Sequence, residues 1–453
     1  MLTRKQDNFI RKNIFLFSHS ILDKSFSSRY YQLQKNQWRS REELNEEQEK
    51  NLHAIIKYSY ENVPYYSKLF KKLKLKINDV KTIEDLNKLP ILTKDTIKNN
   101  YEDFKPVHLQ NIKYYYRSTG GSTGTPFQYR LSKNDRFISA ALLYRGWGYA
   151  GYKIGDKMGL IGGSSLDIGK KSDFKRIIDE YLRNIRKFSS FDFDEKNLTK
   201  YGKIIETFRP KYLYGYASSI YFFSKWLEIN GISINPLLGV ITTAENLFPH
   251  MRRNIESVFQ CKVFNAYGLN DGGVSAFECG EHIGLHIDTE RSIMEVVDGD
   301  GLAVDSGEGQ ILATSLQNYA MPFIRYATGD EAVITEDLCG CGRGSRLLEQ
   351  IIGRSVDFLI TPDGNYIHGW FFLYIFWEYC KGVKEYQVVQ KTSKNIEIKM
   401  VIEDDFDEKQ LDRIREIVAK RSPDWEIEFK HVDKIERTGA GKYKFIVNEV
   451  THV

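Results

Sequence analysis

The sequence predicts an α/β protein. We expect a large N-terminal domain of mainly parallel sheet with helices, which includes a small β-barrel-like subdomain, and a small, mobile α+β C-terminal domain. Three observations predict this: strands and helices alternate from residue 111, Gly- and Asp-rich turns separate short strands from residue 287, and a new strand–helix pattern begins near residue 354. The 453 residues, of which 42% are hydrophobic, suffice for two or three domains.

Residues 1–110 read as a helical lead-in to the large domain, which we place at residues 1–353. Residues 42–60 carry Leu52, Ile55 and Ile56 at helical spacing, and the Val63-Pro64 step ends that helix. Thr93 is placed to cap a further helix through its hydroxyl.

The α/β core is predicted at residues 111–286. Strand-like segments lie at 157–161, 212–214, 240–243 and 262–266, and helical segments lie at 174–185, 219–229 and 250–259. Ligands of such sheets collect at the carboxyl ends of the strands. We therefore expect the loops after Tyr116, Tyr214, Thr243 and Tyr267 to converge.

The β subdomain is predicted at residues 287–353, with antiparallel strands at 293–297, 309–315 and 332–335. The small domain then occupies residues 354–453. Its strands are predicted at 385–390, 396–402 and 425–429, and its helix at 406–420 has Leu411, Ile414 and Val418 on one face.

Composition excludes several classes of protein. A net charge of +5 is small for this length and predicts no nucleic-acid partner. No apolar run reaches the roughly 20 residues of a membrane helix, and five cysteines do not suggest a disulfide scaffold. We therefore expect a cytoplasmic protein without a transmembrane segment.

The segment of residues 4–41 has two interpretations that the sequence leaves open. It is mostly basic, and its charges are interleaved with Phe9, Ile10, Phe15, Phe17 and Phe26. Such a segment can contact an acidic membrane surface. The sequence favours the other interpretation, a basic helical face packed on the protein.

A loop of Gly, Ser and Thr residues lies between two predicted strands, from Ser118 to Thr125. Such a loop lets backbone N–H groups and hydroxyls approach a polyanion, although polar hairpins have the same composition. The loop lacks a Gly-Lys-Ser/Thr ending, which excludes the Walker type of nucleotide site.

Four separated segments carry a resemblance. They are the loop at residues 116–126, Tyr-Gly-Leu-Asn-Asp at 267–271, Arg-Tyr-Ala-Thr-Gly-Asp at 325–330 and Arg-Thr-Gly-Ala-Gly-Lys at 437–442. In this order they resemble the adenylate-forming enzymes. Segments 61–66, 89–94 and 321–326 make the chain similar to the phenylacetate–CoA ligase family, close to its relatives from capsular polysaccharide loci. The resemblance runs from about residue 42 to the C-terminus.

The resemblance implies an ATP-dependent ligase with Mg²⁺. It would activate a small carboxylic acid as an acyl-adenylate, release pyrophosphate, and pass the acyl group to a thiol, either coenzyme A or a carrier, or to an amine. An adenylyltransferase that leaves AMP on its acceptor and a nucleotide-binding pseudoenzyme are the alternatives. The identity of the acid and a homodimeric state stay open.

The resemblance also assigns roles to individual residues. Lys442 and Asp271 would be catalytic, with Lys442 at the developing charge and Asp271 on Mg²⁺. Tyr214, Tyr216 and Ala244 would contact the acid. The ATP-binding residues would be the following: Ser118, Thr119, Gly120, Gly121, Ser122, Thr123, Gly124 and Thr125 on the phosphates, Tyr267 and Gly268 at adenine, Asp330 on ribose, and Arg354 on ribose or phosphate.

One departure from the family pattern concerns the metal. After Tyr-Gly-x the family usually has Ser or Thr and then Glu, whereas this chain has Asn270 and Asp271. Asp271 keeps the carboxylate but is one methylene shorter, which puts Mg²⁺ affinity in question.

A separate set of residues has the composition of a zinc site. Cys279 with His286 precedes the pair Cys339 and Cys341, and three cysteines with one histidine complete a tetrahedral structural zinc site. His282 is the second choice for the fourth ligand, and two unrelated reduced cysteine sites are the alternative.

Overall fold

The computed structural model describes residues 4–118, 128–163, 173–189, 195–245, 247, 249–352, 358–404, 406–435 and 446–450. These residues group into two compact units. The first contains residues 4–117 and 129–352, and the second contains Ser118, Gln128 and the described residues from 358 onward.

The first unit opens with five helices in its described part: α1 Arg4–Leu22, α2 Phe26–Asn36, α3 Arg41–Asn62, α4 Pro64–Leu73 and α5 Lys94–Asn99. Ser40 and Glu43 form a capping box at the start of α3, because each side chain accepts a hydrogen bond from the other's backbone N–H. Pro64 ends α3 and takes the first position of α4. Thr93 caps α5 as its sequence predicts.

The middle of the first unit alternates strands and helices. Its elements are β1 Tyr114–Ser118, β2 Gln128–Ser132, α6 Lys133–Tyr149, β3 Met158–Gly162, α7 Asp173–Arg183, β4 Ile185–Ser189, α8 Glu195–Phe208, β5 Tyr212–Tyr216, α9 Ala217–Ile229, β6 Gly239–Thr243, α10 Pro249–Phe259 and β7 Val263–Gly268. Strands β3 to β7 pair in parallel. Strands β3, β5 and β6 are buried along their whole length, as expected for parallel strands covered on both faces.

Antiparallel strands complete the first unit: β8 Ser275–Glu278, β9 Leu285–Ile287, β10 Ser292–Val297, β11 Gly307–Ser315, β12 Tyr326–Thr335 and β13 Leu347–Ile351. Strand β8 turns back on β7, with Tyr267 opposite Ala276. The antiparallel strands therefore continue the same sheet that the parallel strands form. Among the described residues it forms one eleven-stranded sheet in the order β10-β11-β12-β13-β9-β8-β7-β6-β5-β3-β4.

The segment before β12 is hydrogen-bonded to two parts of the N-terminal region. The Tyr66 hydroxyl donates to the Pro322 carbonyl at 3.0 Å and accepts from the Ile324 N–H at 3.1 Å. The Leu92 N–H donates to the Arg325 carbonyl at 2.9 Å. Segments 61–66 and 89–94 of the sequence are therefore both in contact with segment 321–326 in the fold.

The Arg325 side chain is hydrogen-bonded to several segments of this region, and its buried acidic partner is Glu295. The Arg325 guanidinium donates to the Leu89 and Gly301 carbonyls and to Glu295 Oε1, the last at 3.2 Å. Burial raises the pKa of Glu295 to about 7, although the Arg325 charge acts against this. Within the described part of the chain, Glu295 Oε2 has no hydrogen-bond partner.

The Glu295 carboxyl is expected to make the stability of the fold depend on pH. An unfolded glutamate ionises near 4.5 and the folded one near 7, so the folded state binds more protons between these values. The stabilisation is present in full below pH 4.5 and is lost as the pH rises to about 7. Chemical denaturation should therefore show the stability of the wild type relative to Glu295→Gln falling over this range. Glu308→Gln, an exposed control on β11, should show no such trend, and a pH-independent difference for Glu295→Gln would contradict the prediction.

The second unit contains β14 Phe358–Ile360, β15 Tyr366–His368, α11 Trp370–Tyr379, β16 Val383–Gln390, β17 Asn395–Ile402, α12 Lys409–Arg421, β18 Glu426–His431 and β19 Ile446–Asn448. Its described four-stranded sheet has the order β18-β17-β16-β19. Leu411, Ile414 and Val418 of α12 are buried, as their spacing predicts. The aromatic helix α11, which supplies Phe372 and Phe376 to the core, was not predicted from the sequence.

Candidate active site

The carboxyl-terminal ends of the parallel strands, from which the loops continue, lie next to one another. Tyr216 ends β5 opposite Thr243, which ends β6, and Thr242 pairs with Asn265 of β7. Ala244 follows β6 with a φ of 68°, in the left-handed region that non-glycine residues seldom adopt. A ligand of a parallel sheet is expected at these carboxyl-terminal strand ends.

Two hydrogen bonds join the end of β7 and its loop to β12. The Tyr267 hydroxyl donates to Asp330 Oδ2 at 2.9 Å, and the Tyr326 hydroxyl donates to Asp271 Oδ2 at 2.7 Å. Both carboxylates are buried. Two segments separated by more than fifty residues in the sequence thus meet as one site.

The turn that carries Asp271 is held on several sides. The Arg291 guanidinium pairs with Asp135 at 2.7 Å and donates to the Asn270 carbonyl at 3.4 Å. Gly272 lies so close to β11 that a Cβ there would be 2.6 Å from the Ala313 Cβ. These contacts fix the turn, so Asp271 stands on a rigid support.

The sequence does not indicate the Arg291–Asp135 pair. Its members are 156 positions apart, and neither lies in a motif that indicates a site. Tyr326 was part of a recognised segment, but nothing in the sequence assigned its hydroxyl to Asp271.

Asp330 is supported by its own strand. Its N–H donates to Thr328 Oγ1 at 3.1 Å, and the Thr328 hydroxyl donates to the Ile311 carbonyl at 2.9 Å. Gly329, between them, has a φ of 83°, which glycine adopts without strain. The Thr-Gly-Asp sequence therefore forms a hydrogen-bonded bend that orients the Asp330 carboxylate.

The residues predicted to contact the acid have different surroundings. Tyr214 is buried, packs 4.9 Å from the Trp147 ring between ring centroids, and has its pKa raised by burial to about 12. Tyr216 and Ala244 stand at the strand ends. Tyr214 thus belongs to the core beneath the sheet, and the acid contacts of all three residues stay predictions.

Several predicted site residues lie outside the described residues: Thr119, Gly120, Gly121, Ser122, Thr123, Gly124, Thr125, Arg354 and Lys442. Ser118 is described as the exposed last residue of β1, and Gly268 as the last residue of β7.

A second group of side chains has the composition of a metal site. The donor atoms of Cys279, His286, Cys339 and Cys341 all lie within 4.8 Å of one another. The Cys279 and Cys339 sulfurs are 3.6 Å apart, and the Cys341 sulfur is 3.3 Å from His286 Nε2. Zinc–sulfur bonds of about 2.3 Å in a tetrahedron place two sulfurs about 3.8 Å apart, so the four donors fit zinc.

Histidine protonation agrees with this donor set. Burial, followed by the charges of Arg343 and Arg145, lowers the pKa of His286 to about 4, so the ring is neutral at pH 7. Its Nδ1 is 3.1 Å from the Ser345 hydroxyl, which leaves Nε2 directed at the thiols. His282 lies apart from this group and contacts Glu278 at 2.9 Å.

Comparison with known proteins gives relatives along most of the chain. Residues 359–449 match the family described as the CapK C-terminal domain. Protein CapK of Staphylococcus aureus is 26% identical over 414 residues, which is 90% of each chain. The phenylacetate-coenzyme A ligase of Thermus thermophilus is 28% identical over 340 residues, covering 72% of this chain and 73% of the ligase.

Solved structures show the fold. A 2-hydroxyisobutyryl-CoA ligase, in complex with 2-HIB-AMP and CoA, superposes with a TM-score of 0.65 at 18% identity and covers 92% of both chains. The resemblance to phenylacetate–CoA ligases and their capsule-locus relatives is thus confirmed. The α/β class with a separate C-terminal domain is confirmed with it.

Proposed function

We propose that this chain is an ATP-dependent ligase that converts a carboxylic acid into an acyl-adenylate and pyrophosphate, and then transfers the acyl group to a thiol. The observation that carries the proposal is the pair of hydrogen bonds that joins Tyr267 to Asp330 and Asp271 to Tyr326. The relatives named phenylacetate-coenzyme A ligase support the same reaction type.

Each residue has a role that its surroundings allow. The half-buried Tyr267 ring would stack on adenine, and its hydroxyl would hold Asp330 in place. Asp330 would accept hydrogen bonds from the two ribose hydroxyls, since a carboxylate has two acceptor oxygens. The loop from Ser118 to Thr125 would hold the β- and γ-phosphates, and Lys442 would neutralise the charge that develops as the acid attacks the α-phosphate.

Mg²⁺ and Zn²⁺ would have separate places. Asp271 offers a carboxylate oxygen, the ligand type that Mg²⁺ prefers, and Mg²⁺ would neutralise pyrophosphate. Cys279, His286, Cys339 and Cys341 would hold Zn²⁺ in a closed set of four ligands. Such a set stabilises the fold and leaves no open position for catalysis.

Pyrophosphate exchange into ATP tests the proposed reaction. With a panel of small and aromatic acids, we expect one acid to drive exchange and mass spectrometry to show its acyl-adenylate. Lys442→Ala should lose most of the exchange, whereas the neighbouring control Lys444→Ala should keep it. ATP binding without exchange for any acid would indicate a pseudoenzyme, and an acceptor that gains AMP would indicate an adenylyltransferase.

Asp271 is expected to set the Mg²⁺ requirement. Asp271→Asn removes the anionic ligand, so the Mg²⁺ concentration for half-maximal exchange should rise by more than about tenfold. Tyr326→Phe keeps the carboxylate but removes the hydroxyl that orients it, and we expect a rise of roughly tenfold. Titration of exchange with Mg²⁺ measures both. An unchanged Mg²⁺ dependence in Asp271→Asn would show that another residue binds the metal.

A further inference from the structure

Helix α7 presents its apolar side to solvent. Phe174, Ile177, Ile178 and Tyr181 follow the spacing of one helical face, and Phe174 and Ile177 are 73% and 60% exposed. A surface helix of a globular protein normally turns such a stripe toward the core. An exposed stripe of this kind marks an interaction surface.

The charged side of α7 is the side that holds the helix to the protein. Asp179 pairs with Lys187 of β4 at 2.8 Å, and within α7 it pairs with Arg183 at 3.8 Å. Rotating α7 to bury its apolar stripe would break the Asp179–Lys187 pair. The exposed stripe is therefore part of the native arrangement.

Helix α1 lies against α7 and has a second exposed stripe. Ile10, Phe17 and Ile21 lie on one side of the helix, and Phe17 and Ile21 are 70% and 69% exposed. Phe15 and Leu16 on the other side of the helix are buried. The Arg11 guanidinium lies 4.9 Å from the centre of the Tyr181 ring, which joins the two helices. We call the two stripes together the outer apolar face.

The N-terminal segment that contributes α1 to this face is positively charged. Residues 4–41 contain nine Lys or Arg and two Asp, whereas the whole chain has a net charge of only +5. The positive excess of the protein is thus concentrated in residues 4–41, which include α1, whereas α7 carries three basic and three acidic residues and the rest of the chain is slightly acidic. Lys24, after α1, and Lys175, on α7, are exposed.

The apolar stripes and the positive charge together indicate which kind of partner fits the outer apolar face. A second copy of the chain, related by two-fold symmetry, would bring two basic segments together and repel. A bilayer with anionic lipids accepts both features, because Phe and Ile enter the interface while Lys and Arg meet the headgroups.

We propose that the outer apolar face docks on the surface of an anionic lipid bilayer, with α1 and α7 lying in the plane of the interface. The contact is peripheral. Among the described residues, none of the helices combines the length and the apolarity needed to cross a bilayer.

Vesicle co-sedimentation of the full chain tests the proposal. Vesicles of phosphatidylcholine with about one third phosphatidylglycerol should bind the wild type at least tenfold better than pure phosphatidylcholine, and high salt should weaken the binding. Phe17→Ser/Ile177→Ser should reduce the binding about tenfold by removing apolar contact. Lys24→Gln/Lys175→Gln should reduce only the preference for anionic vesicles.

The control is Ile229→Ser/Leu338→Ser, which removes two side chains that are equally exposed elsewhere on the protein. It should bind vesicles like the wild type, and circular dichroism should show all variants folded. Equal loss in the control, or no preference for anionic vesicles, would overturn the proposal. A dimer in light scattering that Phe17→Ser/Ile177→Ser dissociates, without vesicle binding, would show instead that the face joins two copies.

Discussion

Asp330→Asn is expected to lower kcat/KM for ATP by roughly 1,000-fold, mainly through a higher KM. The carboxylate would accept hydrogen bonds from two ribose hydroxyls, and a hydrogen bond to a charged group contributes about 1.5–3 kcal/mol. An asparagine amide can accept at one position only and opposes a hydroxyl donor at the other. Because Asn has the shape of Asp and the Thr328 contact is to the backbone, the fold should persist.

Tyr267→Phe is the matched control for this prediction. It removes the hydroxyl that donates to Asp330 Oδ2 and keeps the aromatic ring, so we expect a loss smaller than about tenfold. Tyr267→Ala, which also removes the ring, should lose more by weakening adenine binding. Steady-state exchange at varied ATP measures all three. An unchanged KM for ATP in Asp330→Asn, with a lowered melting temperature, would assign Asp330 a purely structural role.

Local chemistry made parts of the fold predictable. Thr93 and Pro64 act on their own helices, so their effects can be deduced from a few neighbouring residues. The parallel strands were found for a similar reason, since burial on both faces leaves short apolar runs. Helix α11 was not predicted from the sequence, because apolar residues lie on nearly every side of the helix and show no clear helical period.

Long-range contacts in the site could not be predicted. The motifs placed Tyr267 and Asp330 in one site by resemblance, but the hydrogen bond between them depends on how β7 and β12 are arranged in the sheet. The Arg291–Asp135 pair and the Ser345 contact of His286 likewise join distant segments. The exposure of Phe17 beside the buried Phe15 illustrates the same limit, because the sequence does not show which side of α1 packs on the protein.

The zinc ligands are expected to have the largest effect on stability. Cys279 follows β8, His286 lies on β9, and Cys339 and Cys341 belong to the segment before β13, so one ion would join three parts of the sheet. Binding of structural zinc is itself folding free energy. Cys339→Ser should therefore cost several kcal/mol and lower the melting temperature by on the order of 10 °C.

Metal analysis and thermal unfolding check this prediction together. The wild type should contain one zinc per chain, and Cys339→Ser should contain almost none. Removal of zinc from the wild type with a chelator should lower its melting temperature toward that of the variant. Cys261→Ser and His282→Ala change a thiol and an imidazole outside the four-ligand set, so both should retain zinc. A wild type that contains no zinc as purified, and whose melting temperature a chelator leaves unchanged, would show that the four side chains are ordinary buried groups, because such a protein has no metal-binding free energy to lose.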